Sequence, residues 1–317
     1  MLLHLLLFCA GLVLVILGAD WLVNGASKLA QRLRVSELVI GLVIVAFGTS
    51  MPELVVSASA SLKGANDIAI ANVVGSNIFN LLFILGVAGL IFPMKVNKSI
   101  IKVDTPMSFL GAIILLLMGY LIPFNATNHT ITWIEGLFML AIFAFYMAYV
   151  IKMAMKNRQE TVPTNQPIPN ICISIGLILL GLAGLIFGGN LLVDNAIYLA
   201  REWGMSEKLI GMTIVAMGTS LPELATSVTA AIRKKNDIAI ANVIGSNIFN
   251  ILFILPVCSL ISPLDYSPCF NTDIAFLILG TIIFWLFTSR TKIQGRACSA
   301  ILLLMYIAFT IYTIMQG

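Results

Sequence analysis

The sequence contains one long segment twice, and this repeat limits the fold more than any other feature. GTSMPE at 48–53 returns as GTSLPE at 218–223, and NDIAIANVVGSNIFN returns as NDIAIANVIGSNIFN. Equivalent residues are 170 positions apart, and residues 18–85 match 188–255 without a gap at 39 of 68 positions. Agreement over this length indicates a duplication, so we expect two halves with the same pattern of structure.

Each half is dominated by long uncharged stretches. Hydrophobic residues make up 60% of the 317 positions and charged residues only 10%, whereas a soluble domain has roughly 25% charged residues. Apolar runs of a length suited to membrane-crossing helices occur five times in each half. They are 3–27, 38–62, 68–92, 103–122 and 131–151, followed by 171–199, 209–232, 238–262, 272–289 and 297–315. The pattern predicts an all-α polytopic membrane protein with ten transmembrane helices (spans 1 to 10) and excludes a soluble enzyme.

An odd number of spans per half means that the second half enters the membrane from the opposite side. We therefore predict two inverted five-helix repeats, at 1–151 and 171–317, an arrangement that recurs in secondary transporters. The short polar segment 152–170 contains three prolines and is interpreted as a cytoplasmic linker.

Basic residues give the orientation. Of the 18 lysines and arginines, 15 follow spans with odd numbers; we call that end of the molecule the odd-loop end and the other the even-loop end. Because cytoplasmic loops carry the excess of basic residues, both termini are predicted to lie outside. The net charge of +4 is thereby explained without nucleic acid. The expected partner is the lipid bilayer, a bacterial inner membrane fits best, and no obligatory protein partner is evident.

One carboxylate stands alone in the middle of span 2 and another in the middle of span 7, namely Glu53 and Glu223. An ionisable group at this depth costs at least about 2.5 kcal/mol on insertion scales, so its default interpretation is functional. Pro52 and Pro222 precede them and remove a helical N–H donor, which predicts a break in each helix. Irregular backbone is tolerated at membrane depth only inside protein or beside a water-filled cavity.

Further polar residues recur every fourth position around these carboxylates and along the following spans. They are Thr49 and Ser57, Thr219 and Ser227, Asn72, Ser76 and Asn80, and Asn242, Ser246 and Asn250. Carboxylate, hydroxyl, carbonyl and amide oxygens are the ligands of a hard cation, and two carboxylates match the charge of one Ca²⁺. The alternative is that the amides only bind helices to one another, which applies most to Asn72 and Asn242.

Spans 1 and 6 each carry one acid and one amide in exchanged order. Asp20 and Asn24 correspond to Asn190 and Asp194. An ion entrance and a structural role remain equally open for them.

The duplicated GTS-x-PE and GSNIFN motifs resemble the signature of the cation/calcium exchanger superfamily, specifically its prokaryotic sodium/calcium antiporters. The resemblance covers about 136 of the 317 residues. It implies a core of spans 2, 3, 7 and 8, with spans 1 and 6 as gate helices. The ion ligands it implies are Glu53, Glu223, Thr49, Ser50, Thr219, Ser220, Ser76, Ser246, Asn80 and Asn250, with the carbonyls of Ala46 and Ala216. One departure is that both Asn80 and Asn250 are neutral, whereas several relatives carry Asp in one or both positions.

The resemblance implies a secondary antiporter that exchanges Ca²⁺ for Na⁺ by alternating access and that has no cofactor beyond the transported ions. A proton-coupled Ca²⁺ exchanger is the nearest alternative, because a buried glutamate readily titrates. A cation channel is a more distant one. An enzyme is disfavoured, since the sequence has neither HExxH nor GxSxG and no intramembrane histidine.

Overall fold

The computed structural model of the chain describes residues 1–121, 129–156, 170–204 and 216–316. Within them, eight helices are long and apolar enough to cross a membrane, and a ninth crossing is a pair of helices that meet at a bend. These crossings are Leu2–Leu33 (span 1), Glu37–Thr49 with Met51–Leu62 (span 2), Asn66–Ile91 (span 3), Ile100–Gly119 (span 4), Trp133–Lys156 (span 5), Ile171–Glu202 (span 6), Asn236–Ile261 (span 8), Phe270–Thr291 (span 9) and Arg296–Met315 (span 10).

Span 7 is described as Ala216–Gly218 and Leu221–Ile232. Positions 209–215, where the sequence predicts that this span begins, lie outside the described residues, as do 157–169 of the predicted linker. The described helices agree in order and number with the predicted ten spans.

Spans 1 and 6 are longer than the apolar runs that predicted them. Span 1 continues to Leu33 instead of ending at 27, and span 6 continues to Glu202 instead of 199. Charged residues end an apolar run, but they do not interrupt helical hydrogen bonding where the helix emerges from the bilayer. Span 1 stops where Arg34 adopts a left-handed conformation with φ of 59°, a common way for a helix to terminate.

Spans 1 and 6 lie antiparallel along their length, as inverted repeats require. A Cβ atom on Gly11 would lie 2.7 Å from the backbone nitrogen of Leu192, and one on Gly18 would lie 2.8 Å from that of Leu185. Residue numbers therefore rise along span 1 while they fall along span 6. Glycines allow the two backbones to approach this closely, as small residues do in membrane helix pairs.

Spans 3 and 8 form the centre of the bundle. The apolar part of span 3 is 72% buried inside the protein and that of span 8 is 94% buried. Asn77 donates a hydrogen bond to the carbonyl of Asn247 at 3.1 Å, and Asn247 donates one to the carbonyl of Asn77 at 3.2 Å. Because these residues are equivalent in the two halves, the reciprocal pair marks the pseudo-two-fold relation between the repeats.

Short strands join loops at each end of the bundle. Strand β1 (Met94–Lys95) pairs antiparallel with β4 (Ile293–Gln294), and β2 (Thr130–Ile131) pairs with β3 (Leu264–Asp265). The first pair joins the loops after spans 3 and 9, and the second joins those after spans 4 and 8. Loops of like parity therefore share an end, as the ten-span prediction requires.

Candidate ion-binding site

The predicted break occurs in span 2 at the GTS-x-PE motif. The helix ends at Thr49, resumes at Met51 and bends by 44° between its two parts. Pro52 lies in the first turn of the resumed helix. An N–H group there would have no acceptor within the helix, so proline is tolerated at this position. Leu221–Ile232 resumes in the same way in span 7, with Pro222 in its first turn. Both glutamates thus lie one residue after a proline, at the start of a helix inside the bundle.

Each glutamate is bound to a serine of the opposite repeat. Ser50 donates to Oε1 of Glu223 at 2.9 Å, and Ser220 donates to Oε1 of Glu53 at 3.1 Å. The two carboxylates and the two serines are all at most 1% exposed. The breaks in spans 2 and 7 therefore meet, and the sequence prediction that both motifs serve one site agrees with this geometry.

The following spans contribute a second serine to each carboxylate. Ser76 lies 3.4 Å from Oε1 of Glu53, and Ser246 lies 3.3 Å from Oε1 of Glu223. The Ser246 hydroxyl also lies 3.4 Å from the carbonyl oxygen of Ala46, which brings that predicted ligand to the same place. The equivalent Ala216 begins the described part of span 7.

Asn72 and Asn242 bind helices together. The Asn242 amide donates to the Ser227 hydroxyl at 2.9 Å and to the Glu223 carbonyl at 3.3 Å, while its oxygen accepts from Thr49 at 3.0 Å. Asn72 repeats this pattern with Ser57, the Glu53 carbonyl and Thr219 at 3.0, 3.4 and 3.5 Å. Ser57 and Ser227, which the sequence places on the helical face of the glutamates, are thus occupied by amides.

Several buried oxygens at the junction of the repeats accept no hydrogen bond. They are Oε2 of Glu53, Oε2 of Glu223, and Oδ1 of Asn80, Asn247 and Asn250. Buried polar atoms are almost always paired. This group of unpaired oxygens has the composition of a hard-cation site, and a bound cation would supply the partner that they lack. The carboxylates are the only charged members.

Asn80 and Asn250 lie within predicted spans, but in turns whose π-helical form the apolar pattern did not predict. Phe79–Ile84 and Asn250–Ile254 are π-helical turns within spans 3 and 8, and such turns are frequent at functional sites. Asn250 donates to Oδ1 of Asn77 at 2.9 Å, whereas neither polar atom of Asn80 has a partner. The extra residue in a π-helical turn shifts side chains around the helix without changing hydropathy, so the sequence carried no signal for it.

A cavity of about 500 Å³ lies next to this site, between spans 2, 6 and 7. Among its lining residues are Asn190 and Asp194 of span 6, Pro52 of span 2, and Thr219 and Pro222 of span 7. Asn190 and Asp194 thus share a mainly apolar cavity with the predicted ligand Thr219, and an ion entrance stays one of two predictions for this pair.

The chain is similar to known membrane proteins over nearly its whole length. The family model "Sodium/calcium exchanger protein" matches residues 3–152 and 173–315. The putative antiporter CaxA of Alkalimonas amylolytica is 37% identical, with 94% of this chain and 95% of the relative covered. The sodium/calcium exchanger MaX1 of Methanosarcina acetivorans is 33% identical, with 97% of both covered. The inner membrane protein YrbG of Escherichia coli is 34% identical, with 95% and 94% covered.

A solved structure has the same fold. A structure of the sodium-calcium exchanger NCX_Mj superposes with a TM-score of 0.84 at 33% identity and covers 99% of both chains. The family and fold that the resemblance implied are therefore confirmed, while the assignment of individual ion ligands stays a prediction. With the family model matching nearly the whole chain, this protein belongs to the sodium/calcium exchanger family.

Proposed function

We propose that the chain exchanges Ca²⁺ for Na⁺ by alternating access at one site shared between the two repeats. The observation that carries this proposal is the crossed pairing of Ser50 with Glu223 and Ser220 with Glu53. Each repeat supplies a carboxylate that the other repeat holds in place, so the site exists only where both repeats meet.

The proposed ligands are the carboxylates of Glu53 and Glu223 together with the neutral oxygens predicted from the motifs. Two carboxylates supply a charge of −2, which one Ca²⁺ neutralises. Na⁺ ions bind to the same kind of oxygen ligands and can compensate the same charge. Loading with one ion then disfavours the other. The empty site keeps two uncompensated charges inside the bilayer, which opposes movement without cargo and enforces exchange.

We further infer that the chain is a transporter rather than an enzyme, without a resident cofactor or an obligatory protein partner. Residues 1–151 and 171–317 form the two five-helix repeats, joined by the cytoplasmic linker 152–170, and spans 1 and 6 act as the gate helices. The name of the E. coli relative supports an inner-membrane location, and the distribution of basic residues supports termini on the outside.

Replacement of either glutamate by glutamine tests the site. In proteoliposomes loaded with Na⁺, Glu53→Gln and Glu223→Gln are expected to abolish Ca²⁺ uptake, because the amide keeps the serine contacts but removes half of the site's charge. Glu135→Gln is the matched control: Glu135 is equally buried but binds Thr132 at the start of span 5. Uptake at the wild-type rate in both site variants would show that these carboxylates do not bind the ion.

The same vesicles separate the alternatives. A Na⁺ gradient is expected to drive Ca²⁺ uptake, whereas a pH gradient alone is not. Uptake driven only by the pH gradient would replace Na⁺ by H⁺ as the coupling ion. Flux that needs no counter-ion would indicate a channel.

A further inference from the structure

Asn72 and Asn242 each accept a hydrogen bond from a threonine of the opposite repeat and donate one to the backbone carbonyl of a site glutamate. Asn242, Thr49 and Ser227 are fully buried. The contacts of these residues determine which atom carries each proton.

The backbone carbonyl of Glu223 fixes the orientation of the Asn242 amide. A carbonyl oxygen can only accept a hydrogen bond, so the atom of Asn242 that lies 3.3 Å from it must be the NH₂ group. The second amide hydrogen is used by Ser227 at 2.9 Å. The amide oxygen is left facing Thr49 at 3.0 Å.

The amide oxygen of Asn242 in turn fixes the hydroxyl of Thr49. An amide oxygen also only accepts, and a threonine has a single hydroxyl hydrogen. Thr49 therefore directs that hydrogen toward span 8, partly shared with the Ala46 carbonyl at 3.3 Å. Its lone pairs remain for other partners, as a cation ligand requires.

We propose that Asn242 and Asn72 are positioning residues that turn the hydroxyl hydrogens of Thr49 and Thr219 away from the ion. The inference rests on the proposed function, because it assumes that these threonine oxygens bind the transported ion. Without Asn242, the acceptors left for the Thr49 hydroxyl are the Ala46 carbonyl at 3.3 Å and the Glu223 carboxylate. Both are predicted ion ligands, so the hydroxyl hydrogen then takes up a lone pair that the cation needs.

The two repeats differ in the strength of this contact. The bond from Thr49 to Asn242 is 3.0 Å long, whereas that from Thr219 to Asn72 is 3.5 Å. Thr49 is fully buried, while Thr219 lines the 500 Å³ cavity. We therefore expect a larger loss of Ca²⁺ binding from Asn242→Ala than from Asn72→Ala.

A double-mutant cycle on Ca²⁺ binding tests the inference. Equilibrium binding of Ca²⁺ to the purified full-length protein in Na⁺-free buffer needs no transport. Asn242→Ala is expected to raise the Ca²⁺ dissociation constant about tenfold, the effect of losing one well-made hydrogen bond. Thr49→Ala is expected to weaken binding to a similar extent. In this proposal the Thr49 hydroxyl is the group through which Asn242 acts on the ion, so the double variant should bind as Thr49→Ala alone does.

The cycle has a conservative counterpart. In a Thr49→Ser background the hydroxyl is retained, so adding Asn242→Ala should again weaken binding about tenfold. If Asn242→Ala does not fold, Asn242→Ser takes its place, since a serine hydroxyl is one bond too short to reach Thr49. Independent losses that multiply to about a hundredfold in the double variant would overturn the positioning role. Absence of Ca²⁺ binding by the unmodified protein would instead overturn the proposed function.

Discussion

Asn77 and Asn247 occupy equivalent places in the two repeats but differ in their hydrogen bonds. Each donates to the carbonyl of the other, yet only Asn77 accepts a further bond, from Asn250. The equivalent Asn80 has no partner for either polar atom. Two halves with nearly the same core sequence thus adopt different arrangements at one moment. An exchanger needs this inequality, because the site must face one side at a time.

This inequality predicts different costs for the same substitution. Asn77→Ala removes a donor to span 8 and also leaves the Asn250 amide without its acceptor, whereas Asn247→Ala removes one bond only. Asn77→Ala should therefore destabilise the protein by about 1 kcal/mol more than Asn247→Ala. Thermal unfolding of both variants in the same detergent measures this difference. Equal midpoints would mean that the extra bond to Asn250 has no energetic weight.

The sequence predicted the composition of the site better than its hydrogen bonding. Glu53 and Glu223 were predicted as ligands because lone charges in apolar runs are costly, and the prolines beside them predicted the break. Which oxygen of each carboxylate stays unpaired depends on contacts between repeats, such as Ser50 with Glu223. A repeat pattern gives both halves the same prediction, so it could not distinguish Asn80 from Asn250.

Among the elements, spans 1 and 6 approach each other closely through their glycines. Gly181 of span 6 lies against Leu22 of span 1, and a Cβ atom there would be 2.6 Å from the Leu22 backbone nitrogen. Gly18 has the same relation to Leu185 at 2.8 Å. Backbone groups cannot move aside as the end of a side chain can, so this contact requires glycine at these positions.

Gly181→Ala should accordingly destabilise the pair, at a cost of about 1–3 kcal/mol for an overpacked contact. Gly176→Ala, five positions earlier on the same helix, is the control because no neighbouring atom lies within 4 Å of its Cβ position. That substitution should keep or raise stability, since alanine favours helix by about 1 kcal/mol over glycine. The thermal midpoints of the two variants check this, and a midpoint for Gly181→Ala at or above the wild-type value would contradict the close approach.

Element positions were predictable where hydropathy decides them. Apolar runs gave the order of the ten spans, but their ends were set by helix caps, as at Arg34. The π-helical turns at Phe79–Ile84 and Asn250–Ile254 were not predicted, because a π-helical turn leaves the hydropathy of a span unchanged.

The polar contacts between the loops and spans 1 and 6 differ at the two ends of the molecule. At the odd-loop end, Arg233 after span 7 pairs with Asp20 and donates to Asn24 at 2.8 Å, both on span 1. Their equivalents at the even-loop end are Lys63, Asn190 and Asp194. Lys63 is exposed and makes no ion pair with any residue in the described ranges. The duplication thus provides each end with a basic residue, an acid and an amide, and the contact between them is formed at the odd-loop end.

If the contact of Arg233 with Asp20 and Asn24 holds span 1 in the conformation seen here, removing it should increase the mobility of span 1 at the odd-loop end alone. Arg233→Gln should increase hydrogen–deuterium exchange in residues 18–33 of span 1 by about two- to fivefold, the weight of a partly exposed ion pair. Lys63→Gln is the matched control and should leave exchange in this segment unchanged, because Lys63 makes no ion pair with the described residues of span 6. Mass spectrometry of the purified protein without Ca²⁺ measures both. Equal protection of 18–33 in the two variants would mean that the Arg233 contact does not hold span 1 in place.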